Sequence, residues 1–141
     1  MKPAFLLTAP NAIAPARATE RSSGWDLYSP DAVRVSYGSV TLIPLGVRLV
    51  LPEGFEGQIR SRSGLSSRGI VVANSPGTID SDYEGELIVL LTRLAPGETL
   101  LDVGTRVAQL IIAPVYTGEA DGEAITLNPY RGSMGIGSTG V

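Results

Sequence analysis

The chain has 141 residues and a net charge of −3, enough for one domain with a core of its own. No run approaches the roughly 20 apolar residues of a membrane span, and the charge balance argues against a general nucleic-acid binder. With no Cys there are no disulfides and no thiol nucleophile; with no His, acid–base chemistry falls to carboxylates, Tyr or Lys2, and a metal to the oxygen donors that Mg²⁺ prefers.

The first apolar stretch, Ala4 to Leu7, is too brief for a signal h-region, so the expected compartment is the cytoplasm. Gly24-Trp25-Asp26-Leu27 precedes the first clear strand, and its Asp on a polar, Gly-containing loop suits turn chemistry. Strands are expected over residues 32–37, 40–42, 46–51 and 57–60, where β-branched and aliphatic residues alternate with Gly and Pro. One helical turn follows at 64–68, which Ser63 would cap. Ser63 and the Gly64 N–H, with Arg62 beside them, suit an anion cradle or equally a capped turn with surface arginines.

Residues 70–73 and 87–91 read as strands, and Pro76-Gly77 between them suits a type II turn, so the segment reads as a hairpin. Its loop sets Asp80 beside backbone N–H and C=O groups, which has the makings of a site with a placed base. Further strands are expected over 87–94, 107–115 and 124–127. Gln109 is the polar residue in an apolar run, an amide that ties strands together or touches a ligand.

In the tail, Gly135, Gly137 and Gly140 match GxGxxG literally, but no strand closely precedes them, and no Lys follows to make a Walker A loop. An arm with Arg, Ser and Thr suits a free terminus or a lid over phosphates. Sustained helical periodicity is nowhere present. The expected class is all-β, a distorted jelly roll or barrel with at most one short helix, its core over 1–130 and a flexible C-terminal lid over 131–141.

Taken together, the order and spacing of these segments resemble the five motifs of the trimeric deoxyuridine triphosphatases, the dUTPase family. Gly24 to Leu27 is similar to the first and Arg62-Ser63-Gly64-Leu65 to the second. Gly77-Thr78-Ile79-Asp80-Ser81-Asp82-Tyr83-Glu84-Gly85-Glu86 is similar to the third, Gly104 to Val115 to the fourth, and Arg131 to Gly140 to the fifth. The resemblance implies hydrolysis of dUTP to dUMP and pyrophosphate, which supplies dUMP for thymidylate synthesis and keeps uracil out of DNA. It implies that Asp80 activates a water for in-line attack on the α-phosphorus; a carboxylate base also fits a chain without His.

By the same resemblance Asn74 and the backbone of Gly77, Thr78 and Ile79 read uracil, Ile88 adds a substrate contact, and Tyr83 packs under the deoxyribose. Arg62, Ser63, Gly64 and Gln109 hold phosphates around Mg²⁺, with Asp26 reaching the ion through water. Arg131, Ile136, Gly137, Ser138 and Thr139 close over the site. The implied assembly is a homotrimer with sites at subunit interfaces, each closed by a neighbour's arm, with no nucleic-acid or membrane partner.

The chain departs from the family pattern where Ile136 stands for the usual aromatic of the fifth motif and Met134 for a small residue. The lid is therefore expected to lack a ring stacked on uracil, a contact worth about 0.5–1.5 kcal/mol. The related dCTP deaminases carry a catalytic Glu after the third motif; Gly85-Glu86-Leu87-Ile88-Val89-Leu90 has Leu at that position. A regulatory trimer with little catalysis finds no support, since Asp80, Tyr83, Ser63 and Arg131 are all present.

Overall fold

The computed structural model describes residues 1–120, and these form ten strands and one helical turn. Three antiparallel sheets share one core. The first runs β1 (Ala4–Leu7), β4 (Val40–Val50), β8 (Glu86–Arg93), β6 (Ile70–Val72). The second runs β2 (Trp25–Tyr28), β10 (Arg106–Pro114), β5 (Phe55–Arg60), β7 (Gly77–Ile79), and β3 (Val33–Ser36) pairs with β9 (Glu98–Leu101). The fold is the nearly all-β, distorted jelly-roll type expected from the sequence, with the short α1 (Ser63–Ser66) as its helix.

Strict alternation builds the core. Along β8, Leu87, Val89 and Leu91 point inward and are almost fully buried, while Ile88, Leu90 and Thr92 point out. On β10 a bulge between Arg106 and Ala108 turns two successive residues, Val107 and Ala108, into the core. That bulge matters for function, because it resets the side on which Gln109 emerges.

Several expected elements differ. The runs 40–42 and 46–51 are one strand, because Gly46 takes a positive φ of 66° and forms a bulge that carries β4 past Pro44. The amide of Gly46, pulled out of the ladder, donates to the Glu86 carboxylate. Pro76-Gly77 is not a type II turn. The Ser75–Pro76 peptide is cis, and Gly77 lacks the positive φ such a turn needs. It opens β7 instead, where Ile59↔Gly77 and Gly57↔Ile79 pairing buries Gly77 and Ile79. The stems of the expected hairpin do pair, with Val72 opposite Leu91 and the Ala73 N–H on the Leu90 carbonyl at 2.8 Å.

The helical turn begins one residue early, so Ser63 lies inside it and makes no capping bond; Arg62 is the cap residue. Asp26 lies in β2 rather than in a loop, because β10 and the Ala16 bridge pair with it on both sides. Strands β1 and β9 went unpredicted, being short and largely exposed. The expected strand at 124–127 lies outside the described residues, and so does the arm with Arg131, Ile136, Gly137, Ser138 and Thr139. No helix among the described residues is long and apolar enough to cross a membrane.

Candidate active site

Asp26, Gln109 and Arg60 form one cross-sheet row, in register on β2, β10 and β5. The chain leaves β5 after Arg60, turns through Ser61 and Arg62, and enters α1 with Ser63 exposed at its start. This geometry gathers Asp26, Arg62, Ser63, Arg106 and Gln109 around a concavity of about 320 Å³. The Ala16–Asp26 bridge lays the preceding loop alongside, so that Ser22, Ser23 and Gly24 complete the wall.

The carboxylate of Asp26, only 14% exposed, organises the charge. Its Oδ1 accepts from Arg62 Nε at 2.9 Å, and its Oδ2 lies 3.5 Å from Arg106 Nη1. Arg62 Nη1 also donates to the Arg106 carbonyl at 3.4 Å. One carboxylate thus holds two guanidiniums, leaving the pocket with a net cationic wall and a Ser63 hydroxyl that has no partner among the described residues. Gln109 donates through Nε2 to the Ser61 carbonyl at 2.9 Å, tying β10 to the turn and fixing its amide plane. A Cβ on Gly24 would sit 2.8 Å from Gln109 Oε1, so only glycine leaves that amide where it is. The donors here are those that bind phosphate oxygens.

Asp80 stands elsewhere. It follows β7 at the other edge of the second sheet and faces a separate concavity of about 800 Å³, together with Glu56, Asp82 and Tyr116. Three inter-strand steps and a four-residue register offset separate it from Asp26, on the order of 20 Å. The turn Asp80-Ser81-Asp82-Tyr83, closed by the Tyr83 N–H on the Asp80 carbonyl at 3.1 Å, sets Tyr83 beside Asp80. The Tyr83 ring lies on Gly85 and its hydroxyl donates to the Glu86 carbonyl at 2.9 Å.

Asn74 is exposed and folds over Gly77: a Cβ there would be 3.1 Å from the Asn74 Nδ2. Since β7 is an edge strand, one side of Gly77, Thr78 and Ile79 carries open backbone groups. Ile88 lies on the outward face of β8 opposite Pro44 and lines neither concavity. Arg106 was not singled out from the sequence, although it sits three residues before Gln109 in the same motif; its pairing with Asp26 exists only in the fold.

Among the described residues no group of three or more carboxylates could enclose a metal ion. Both oxygens of Asp26 already face arginines, so direct chelation does not fit. The lone pairs that remain suit an ion carried on a polyphosphate and reached through its water.

A family model for dUTPase matches residues 10–140. The deoxyuridine 5'-triphosphate nucleotidohydrolase of Rickettsia typhi is 47% identical over 130 residues, covering 90% of this chain and 88% of that protein. That of Rickettsia rickettsii (strain Sheila Smith) is 47% identical over 131 residues with the same coverage. Among solved structures, the Staphylococcus bacteriophage 80alpha dUTPase with dUpNHpp is 28% identical, with a TM-score of 0.85 and 99% of each chain covered.

Proposed function

Because this chain belongs to the dUTPase family, we propose that it hydrolyses dUTP to dUMP and pyrophosphate in a site shared between copies of the chain. The observation that carries the shared site is the separation, on the order of 20 Å, of Asp80 from the Asp26–Gln109 pocket. The base and the phosphate cradle of one chain lie too far apart to meet at one α-phosphorus. A homotrimer brings the Asp80 turn of one copy to the pocket of the next.

Asp80 takes a proton from water as the water oxygen bonds to the α-phosphorus. The bond from that phosphorus to the bridging oxygen breaks, and its electron pair leaves with pyrophosphate. The same carboxylate accepts from the sugar 3′-OH. Uracil meets the open edge of β7 and the amide of Asn74, a fit that must be narrow enough to exclude the 5-methyl group of thymine. Tyr83, held flat by Gly85 and the Glu86 carbonyl, floors the deoxyribose and rejects a 2′-OH.

Ser63, the Gly64 N–H, Arg62 and Gln109 bind the phosphates, with Arg106 supporting Arg62 through Asp26. Mg²⁺, when bound, neutralises and shapes the polyphosphate, and Asp26 is placed to accept from one of its waters. Arg131, Ile136, Gly137, Ser138 and Thr139 close the site as an arm from a neighbouring copy. The product dUMP then feeds thymidylate synthesis, and dUTP is kept from DNA polymerases; the reaction is placed in the cytoplasm.

The test is pyrophosphate release with Mg²⁺ from dUTP, dCTP, dTTP and UTP, with Asp80→Asn as control. Release from dUTP alone, lost in the variant, is expected. Ammonia from dCTP, or full activity in Asp80→Asn, would overturn the reading.

A further inference from the structure

A third concavity, of about 410 Å³, opens beyond Arg62 and Arg106, which line both it and the phosphate pocket. Its other charged member is Arg68, just past α1 and exposed. Leu65 floors it, and Thr105 lies on its rim with its hydroxyl on the Asp102 carbonyl at 2.6 Å. Three guanidiniums thus line one hollow, and among the described residues no carboxylate stands in its wall. Asp26 offsets one of those charges from the other side, leaving about two positive charges uncompensated on a chain whose net charge is −3. Among the described residues Arg68 has no side-chain hydrogen bond or ion pair, unlike Arg34, Arg48, Arg62 and Arg106.

Three like charges kept around an open hollow repel one another unless a multivalent anion lies between them. Arg62 and Arg106 are positioned by Asp26; among the described residues no carboxylate pairs with Arg68. The hollow adjoins the phosphate pocket through the shared Arg62 and Arg106, so an anion released from that pocket can pass directly into it. We propose that this hollow is a second anion subsite, contiguous with the phosphate pocket, that takes inorganic pyrophosphate as it leaves, with Arg68 as its added ligand. The inference rests on the hydrolase reading for the source of the anion, but the subsite itself is defined by the arginines.

Sodium pyrophosphate is titrated calorimetrically into the full-length protein in Mg²⁺ buffer, for wild type, Arg68→Gln and Arg68→Lys, with dUMP as the comparison ligand. Loss of one charge-assisted contact should weaken pyrophosphate roughly tenfold in Arg68→Gln. Arg68→Lys should recover part of the loss, and dUMP affinity should stay within about twofold, since dUMP carries only the phosphate held by the first pocket. No binding of pyrophosphate by wild type, equal affinity in Arg68→Gln, or an equal loss for both ligands would each overturn the subsite. Turnover of dUTP is followed on the same samples. Pyrophosphate binding through Arg68 without turnover would refute the hydrolase reading and leave the subsite standing; turnover with pyrophosphate affinity indifferent to Arg68 would refute the subsite alone.

Discussion

Two variants, each crippled alone, should restore one another when assembled together. Asp80→Asn removes the proposed base, and Ser63→Ala removes a hydroxyl donor of the proposed phosphate pocket. Loss of one hydrogen bond to a charged group is worth about 1.5–3 kcal/mol, so Ser63→Ala should retain a tenth of wild-type activity or less. Asp80 follows β7 at the edge of the second sheet, whereas Ser63 opens α1 beside the pocket of Asp26, which lies on the order of 20 Å from Asp80; under the proposed shared site the two residues serve different sites of the assembly. When the variants are co-expressed in equal amounts and mix at random, about half of the pockets keep Ser63, and about half of those face a neighbour that keeps Asp80. About one quarter of the sites are then wild type. Pyrophosphate release per chain should therefore reach about a quarter of the wild-type rate. If base and pocket came from one chain, no wild-type site could form, and the mixture would give at most half the Ser63→Ala rate, about one twentieth. A value near that lower figure, with mixed trimers shown by mass, would refute the shared site.

Four further outcomes can be checked. Gly85→Ala puts a Cβ 2.8 Å from Tyr83 Cε2, in the space the ring occupies, so the ring must swing away. The ratio of kcat/KM for dUTP over UTP should fall about 5–30-fold, the equivalent of some 1–2 kcal/mol of discrimination, and an unchanged ratio would dissociate Tyr83 from sugar choice. Asp26→Asn leaves two guanidiniums without their carboxylate and should destabilise the fold by about 1–3 kcal/mol in urea unfolding. Pyrophosphate should then stabilise the variant more than wild type; equal stabilisation would show that the arginines do not depend on Asp26. Gly57→Ala drives a Cβ to 2.9 Å from Leu49 Cδ2 and 3.1 Å from Ile79 Cβ, and should cost about 1–3 kcal/mol by overpacking, read as a lower urea midpoint at constant slope. Ile136→Phe restores a ring to the fifth motif and should lower KM for dUTP about 2–10-fold; no change would mean that stacking does not set the lid's contribution.

Short β-branched and aliphatic runs punctuated by Gly and Pro, with no sustained helical periodicity, were legible in the sequence and led directly to the all-β class, because such residues suit a pleated, half-buried strand and the punctuation suits turns. Motif order and spacing were likewise enough to identify the family, since five short segments in register along one chain specify more than any one of them. Local reading failed where the partner strand, not the residue, decides conformation. Gly77 carries the composition of a turn but is held in β7 by pairing with Ile59, and Asp26 reads as a loop residue but is held in β2 by β10 and Ala16. The stretch 43–45 reads as a break between two strands, but Gly46 supplies the positive φ that lets β4 continue through a bulge.

Three features were decided by tertiary structure alone. Asp26 lies between Arg62, 36 positions further along the chain, and Arg106, another 44 positions beyond Arg62, because β2, β10 and the turn after β5 converge at one end of a sheet. Arg68 faces the same arginine wall from the turn after α1. Asp80, which in sequence is only 18 positions from Arg62, stands on the far edge of that sheet. Sequence records which chemical groups are present and how the local chain prefers to bend; the long-range pairing of strands sets which groups share a pocket, and that pairing depends on contacts no local window contains.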